Sequence, residues 1–77
     1  MVQAFIMVKT APGESAPLQD QISGMAAVSE SHVVAGGYDL IVEAGGDEVY
    51  DVIHTVATDI RELEGVVDTR TYICLEE

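Results

Sequence analysis

The sequence predicts a single α+β domain, and three observations carry the prediction. The chain is 77 residues long, enough for one small core and no second domain. Hydrophobic residues make up 48% and charged residues 22%, a globular composition. Along the chain, β-branched runs and helix-period stripes alternate in the order β-α-β-β-α-β, with Gly or Pro signals between them.

The elements follow in order. Val2 to Lys9 (VQAFIMVK) puts Val2, Ala4, Ile6 and Val8 on one side of a strand and Phe5 and Met7 on the other, so both faces call for burial. Thr10 to Ser15 (TAPGES) is a loop, and Ser15 before Ala16-Pro17 reads as an N-cap with proline in the first helical turn. Leu18, Ile22 and Met25 form that helix's apolar stripe. Ser29 to Ala35 and Tyr38 to Glu43 read as a hairpin around Gly36-Gly37. A two-residue turn sets Ala35 against Tyr38 and Glu30 against Glu43, a like-charge pair; a four-residue turn sets His32 against Glu43 and is favoured on that ground. Ala44-Gly45-Gly46 ends the hairpin, Asp47 is the expected N-cap, and Val49, Val52, Ile53, Val56, Ile60 and Leu63 mark a second helix. Gly65 stops it, and Val66 to Leu75 is the last strand.

This order is that of the split βαβ, or ferredoxin-like, unit: a sandwich of a four-stranded antiparallel sheet with two helices on one face. The helices cover one face of the sheet while Phe5 and Met7 point to the other, so a second copy packed sheet to sheet, a dimeric α+β barrel type of assembly, is expected. Size argues the same way, since roughly 1.5 kcal/mol of ordering entropy per residue nearly cancels what one small core supplies. Neither disulfides nor a zinc cluster is expected to help, with one cysteine (Cys74) and two histidines (His32 and His54) at unrelated places.

Three basic residues, Lys9, Arg61 and Arg70, face fourteen acidic ones, giving a net charge of −11. Such a surface repels nucleic acid, so direct DNA or RNA binding is excluded. The acidic excess fits either an ordinary solvated surface or adaptation to high salt, where dense counterions screen self-repulsion. No apolar run approaches the roughly 20 residues that span a bilayer, and no signal-peptide pattern opens the chain, so a cytoplasmic location without membrane association is expected.

Chemistry-bearing patterns are sparse. The loop after the first strand holds neither the thiols of a metal carrier nor the arginine of an acylphosphatase, and the glycine pairs lack GxGxxG spacing. His32 and His54 lack a metal-ligand spacing, and Cys74 among Tyr72, Ile73 and Leu75 reads as a small buried hydrophobe. No cofactor, metal or catalytic residue is expected.

AFIMVKTAPG at the start, VVAGGYDLIVEA in the hairpin and IRELEGVVDTRTYICLE at the end together resemble the effector-binding, or RAM, domain of the leucine-responsive/asparagine (Lrp/AsnC) regulator family, over nearly the whole of residues 1–77. Full-length members carry an N-terminal helix-turn-helix domain, so the resemblance implies a stand-alone sensor domain. It implies a non-enzymatic amino-acid or small-metabolite binder that builds dimers into octamers or decamers. On this resemblance it is expected to modulate transcription by changing its own assembly or by co-assembling with full-length Lrp/AsnC regulators. The resemblance places the effector site, between dimers, at Gly36, Gly37, Tyr38, Asp39, Thr69 and Thr71. Asp39 suits a ligand ammonium, and glycine N–H groups and threonine hydroxyls suit its carboxylate. Two rival readings are a small dimeric enzyme of monooxygenase or isomerase type, for which His32, Tyr38 and Asp39 must converge, and a purely structural oligomerisation module.

Overall fold

The computed structural model describes residues 2–75; Met1, Glu76 and Glu77 of the expected domain lie outside the described residues. The strands are β1 (Val2–Thr10), β2 (Val28–Val33), β3 (Leu40–Gly46) and β4 (Val66–Ile73), and α1 (Ser15–Ser23) lies between β1 and β2. Between β3 and β4 a continuous helical rod comprises α2 (Val49–Asp51), a π-helical stretch Val52–Ala57 and α3 (Thr58–Arg61). The sheet order is β2-β3-β1-β4, with every pairing antiparallel. This is the ferredoxin-like α+β arrangement that the order of elements predicts.

β1 lies at the centre, and its alternation organises the molecule. Ala4, Ile6 and Val8 are fully buried, and Ile6 and Val8 meet Leu18 and Ile22 of α1, Leu40 and Val42 of β3, and Val56 and Ile60 of the rod in one core. Phe5 and Met7, on the other side, remain half-buried, as does Ile41, which pairs with Met7. This open face is rimmed by Glu30, His32 and Glu43 on one flank and by Lys9, Asp68, Arg70 and Tyr72 on the other, as the strand pairing places them.

The hairpin departs from expectation. Its register pairs Glu30 with Glu43 and Val33 with Leu40, so the His32–Glu43 register favoured from sequence is incorrect. Nor is the connection a two-residue turn: a loop of residues 34–39 joins the strands, tied by the Val34 N–H donating to the Asp39 carbonyl at 2.8 Å. The like-charge pair is tolerated because each carboxylate has its own donor, Gln3 Nε2 to Glu43 at 2.7 Å and His32 Nε2 beside Glu30 at 3.3 Å. β3 also runs on through Gly45 and Gly46, which pair with Gln3 and Val2. A Cβ on Gly45 would stand 3.2 Å from the Val2 carbonyl oxygen, so a larger residue would crowd the ladder.

Both edge strands carry a bulge. Lys9 pairs with Asp68 and Thr10 with Val66, leaving Val67 unpaired; likewise Ser29 is the odd residue between Val28 and Glu30. In each case two consecutive residues, Val67-Asp68 and Ser29-Glu30, are exposed, as expected when an extra residue breaks the alternation.

The helices differ from expectation at their caps. Glu14 occupies the N-cap of α1 and Glu48 that of α2, neither making a side-chain capping bond. Ser15 and Asp47 are therefore not the caps. Along the rod Val52, Val56 and Ile60 are buried, whereas Val49 and Ile53 are about half exposed. A four-residue spacing drifts by about 40° per step around a helix of 3.6 residues per turn. A wider π turn cancels that drift and keeps the three residues on the sheet, at the expense of the stripe predicted for Val49 and Ile53. Gly65 ends the connection at φ +99°, a conformation that disfavours side chains.

Candidate functional site

The topology gathers the β1–α1 loop and the β2–β3 loop at one end of the sheet, because β1 ends where β3 begins. The Asp39 N–H donates to the Val8 carbonyl at 2.9 Å, continuing the β1–β3 ladder past Leu40. Its side chain then turns back onto β1: Oδ2 accepts from the Thr10 N–H at 2.8 Å and from the Thr10 hydroxyl at 3.3 Å. The Thr10 oxygen lies 3.0 Å from the Ser15 hydroxyl, so with Thr10 donating to Asp39, Ser15 donates to Thr10. Thr10 is buried, and this relay satisfies its polar groups; no buried side-chain polar atom among the described residues lacks a partner.

Beside the relay lies a recess of about 480 Å³ lined by Lys9, Thr10, Ala11, Pro12, Gly13, Ser15, Asp39 and Val67. The β4 bulge sets Val67 on its wall opposite the loop, and Gly13, at φ +80°, turns that loop back toward the sheet. The recess combines a carboxylate, two hydroxyls and an apolar wall, with Lys9 at its edge, the kinds of group that hold a small polar ligand. A second recess, of about 720 Å³, opens at the far end of the sheet, where Gln3, Glu43, Ser29 and Cys74 stand among Ala26, Ala27, Val28, Ala44 and Gly45. It is the larger, but its polar groups already engage one another: Gln3 holds the Glu43 carboxylate and Ser29 donates to the Glu43 carbonyl at 3.1 Å. Cys74, half-buried, is less enclosed than its apolar neighbours suggest.

Of the six residues expected at the site, Asp39 alone lines the recess. Gly36 and Gly37 are exposed in the hairpin loop. A Cβ at either would meet nothing within 4 Å, and neither has a positive φ, so neither the fold nor the space demands glycine there. Tyr38 is half-buried between them and Asp39. Thr69 and Thr71 pair with Val8 and Ile6 and share the helix-covered side of the sheet with them, away from the recess. Lys9, Thr10, Pro12, Ser15 and Val67 went unrecognised. The loop TAPGES has no basic residue, but Lys9, the single lysine, directly precedes it and was legible as such. His32 lies on the open face opposite Ile41 and lines neither recess, so His32, Tyr38 and Asp39 do not converge as an enzyme would require. Among the described residues no cluster of potential metal ligands occurs, and no helix is long and apolar enough to cross a membrane.

Fold and recess together define a small ferredoxin-like binding domain, with its polar pocket at the hairpin end and a bare sheet face. The chain belongs to the Lrp/AsnC ligand binding domain family, whose model matches residues 3–77. It is 27% identical over 77 residues to the leucine-responsive regulatory protein of Haemophilus influenzae, covering all of this chain and 46% of that protein; the chain thus spans about half the length of this curated relative. A hypothetical protein of Pyrococcus horikoshii superposes with a TM-score of 0.90 at 35% identity, over 100% of this chain and 93% of that one. A Neisseria meningitidis transcriptional regulator solved as a complex with L-Met has the same fold, with a TM-score of 0.81 at 22% identity over 99% of this chain and 51% of its own. Membership in this family identifies residues 3–77 as a ligand-binding domain of the Lrp/AsnC type.

Proposed function

We propose that the chain is a non-enzymatic sensor of a free amino acid or similar small metabolite, working in the cytoplasm by changing its own assembly. The observation that carries this reading is the Asp39 carboxylate, held by Thr10 at the mouth of a recess between two loops. One oxygen is engaged by the fold and the other, Oδ1, takes no hydrogen bond among the described residues, which suits a ligand ammonium. Gly36 and Gly37 supply exposed backbone N–H groups next to it, and Tyr38 flanks them. Thr69 and Thr71, which share the helix-covered side of the sheet with Val8 and Ile6, lie away from this site. The L-Met complex of the Neisseria regulator supports an amino-acid ligand.

The half-buried Phe5, Met7 and Ile41 on the uncovered face support sheet-to-sheet dimers, which build further into octamers or decamers. Ligand bound between dimers shifts that equilibrium by its differential affinity for the assembled state. Co-assembly with full-length Lrp/AsnC regulators is a further route by which the domain acts. The test is particle mass by light scattering in molar KCl, with and without free amino acids, followed by mixing with full-length regulators of the same cell. A mass or melting temperature that responds to an amino acid supports the reading. A mass indifferent to every amino acid overturns the sensor, and failure to form mixed particles overturns co-assembly.

A further inference from the structure

We propose that the larger recess, at the end of the sheet opposite Asp39, is a second binding site and takes primary amines with an apolar tail. The proposal goes beyond the effector-binding reading and does not rest on it, because the two recesses share no lining residue. The site is also separate from the apolar patch of the open face, since none of Phe5, Met7 and Ile41 lines it.

The ligand chemistry follows from which polar groups the fold already engages. The half-buried Glu43 carboxylate accepts from Gln3 Nε2 through Oε2 at 2.7 Å, while Oε1 takes no hydrogen bond among the described residues. The β2 bulge brings Ser29 against β3, where its hydroxyl donates its one proton to the Glu43 carbonyl at 3.1 Å and keeps its lone pairs. What stays open is rich in acceptors, set against the second N–H of the Gln3 amide group and the weak thiol donor of Cys74. None of the described residues lining the recess is basic, and Glu30, across the ladder from Glu43, brings a second negative charge. The nearest compensating group is His32, whose Nε2 lies 3.3 Å from Glu30. An ammonium provides the donors and the positive charge that the recess lacks. A carboxylate meets Glu43 and Glu30 with no cation to hold it and is refused. Val2, Ala27, Val28 and Ala44 form the apolar remainder, and their small side chains leave a volume of about 720 Å³, enough for an aromatic or aliphatic tail.

The test is calorimetric titration of the intact protein in 1 M KCl, where a screening length of about 3 Å suppresses diffuse attraction of cations to the acidic surface. The probes are 2-phenylethylamine, its neutral isostere 2-phenylethanol, the anion 3-phenylpropanoate, and ethylamine, which lacks the tail. The titrations are repeated on Glu43→Gln and Ala26→Leu, with folding checked by circular dichroism. Ala26 is an exposed residue of the recess wall, so leucine there fills the recess while leaving the core and the carboxylate in place. The wild type is expected to bind 2-phenylethylamine about ten-fold or more tighter than each of the other three probes. Both variants are expected to keep their fold and weaken 2-phenylethylamine by about ten-fold or more, and Glu43→Gln also to lose the preference for amine over alcohol. If either folded variant keeps the wild-type affinity, the amine sits elsewhere on the acidic surface and the site is overturned. If 2-phenylethanol or 3-phenylpropanoate binds as tightly as the amine, the ligand class is overturned; if ethylamine does, the role of the apolar wall is. If 2-phenylethylamine gives neither heat nor a rise in melting temperature, the proposal falls outright. None of these outcomes touches the effector-binding reading, which rests on the response to amino acids at the other end of the sheet.

Discussion

Replacing Asp39 by alanine removes both bonds that its carboxylate accepts from Thr10, one from the backbone N–H at 2.8 Å and a longer one from the hydroxyl at 3.3 Å. A hydrogen bond to a charged group contributes about 1.5–3 kcal/mol, and a buried donor left unpaired costs about 1–3 kcal/mol. Thr10 is buried but Asp39 only half so, which argues for the lower end, about 2 kcal/mol in total. In a domain of this size 1 kcal/mol corresponds to about 4–8 °C in Tm, so Asp39→Ala is expected to melt about 8–16 °C below the wild type. Asp39→Asn keeps a carbonyl oxygen for the Thr10 N–H and is expected to cost less than about 1 kcal/mol. Both variants remove one negative charge, so comparing them cancels the relief of charge repulsion and isolates the hydrogen bonds. Urea titrations followed by circular dichroism at constant salt measure the difference. Equal stabilities of the two variants within about 0.3 kcal/mol would refute the relay as a structural element.

Other expectations are shorter to state. Ile6→Ala, at a fully buried position in the centre of the core, should cost about 3–4 kcal/mol in the same titration. Gly65→Ala forces a side chain into φ +99° and within 3.3 Å of Leu18 Cδ1; about 1–2 kcal/mol should be lost from backbone strain alone. Glu30→Lys places opposite charges across the Glu30–Glu43 pair and should raise stability by about 0.5–1 kcal/mol in dilute buffer. Unfolding midpoints of the wild type should climb from 0.1 to 1 M KCl as the screening length falls from about 10 to about 3 Å, and a flat salt response would count against the high-salt reading of the acidity.

Much of the fold was legible because it depends on local alternation. Val2 to Lys9 declares two faces through residue type alone, and Gly65 marks a stop that only glycine makes easily. The features that escaped depend on partners distant in sequence. The register of β2 was argued from charge, yet the donors that relieve that charge are His32, two residues away, and Gln3, which reaches Glu43 from another strand. The π-helical stretch follows from the spacing Val52, Val56, Ile60, which an α-helical template absorbs without complaint when Val49 and Ile53 are counted on the same stripe. At the recess Asp39 was legible as a carboxylate beside a glycine pair, but its bonds to Thr10 come from the β1–β3 ladder. Thr69 and Thr71 were placed by resemblance, and strand parity turns them toward the helices. Lys9 stands one residue before the TAPGES loop, outside the stretch in which an anion-binding basic residue is expected.

The bulges at Ser29 and Val67 bear on how the protein avoids growing the wrong way. β2 and β4 are the two sheet edges, and a flat edge is a template on which another chain can add a strand without limit, the route to fibrils. Here each edge is interrupted by one unpaired residue and dotted with charge, Glu30 on one side and Asp68 and Arg70 on the other. Lateral strand addition is thereby discouraged at both ends of the sheet. A chain with such edges should stay free of amyloid-type aggregates even at high protein concentration.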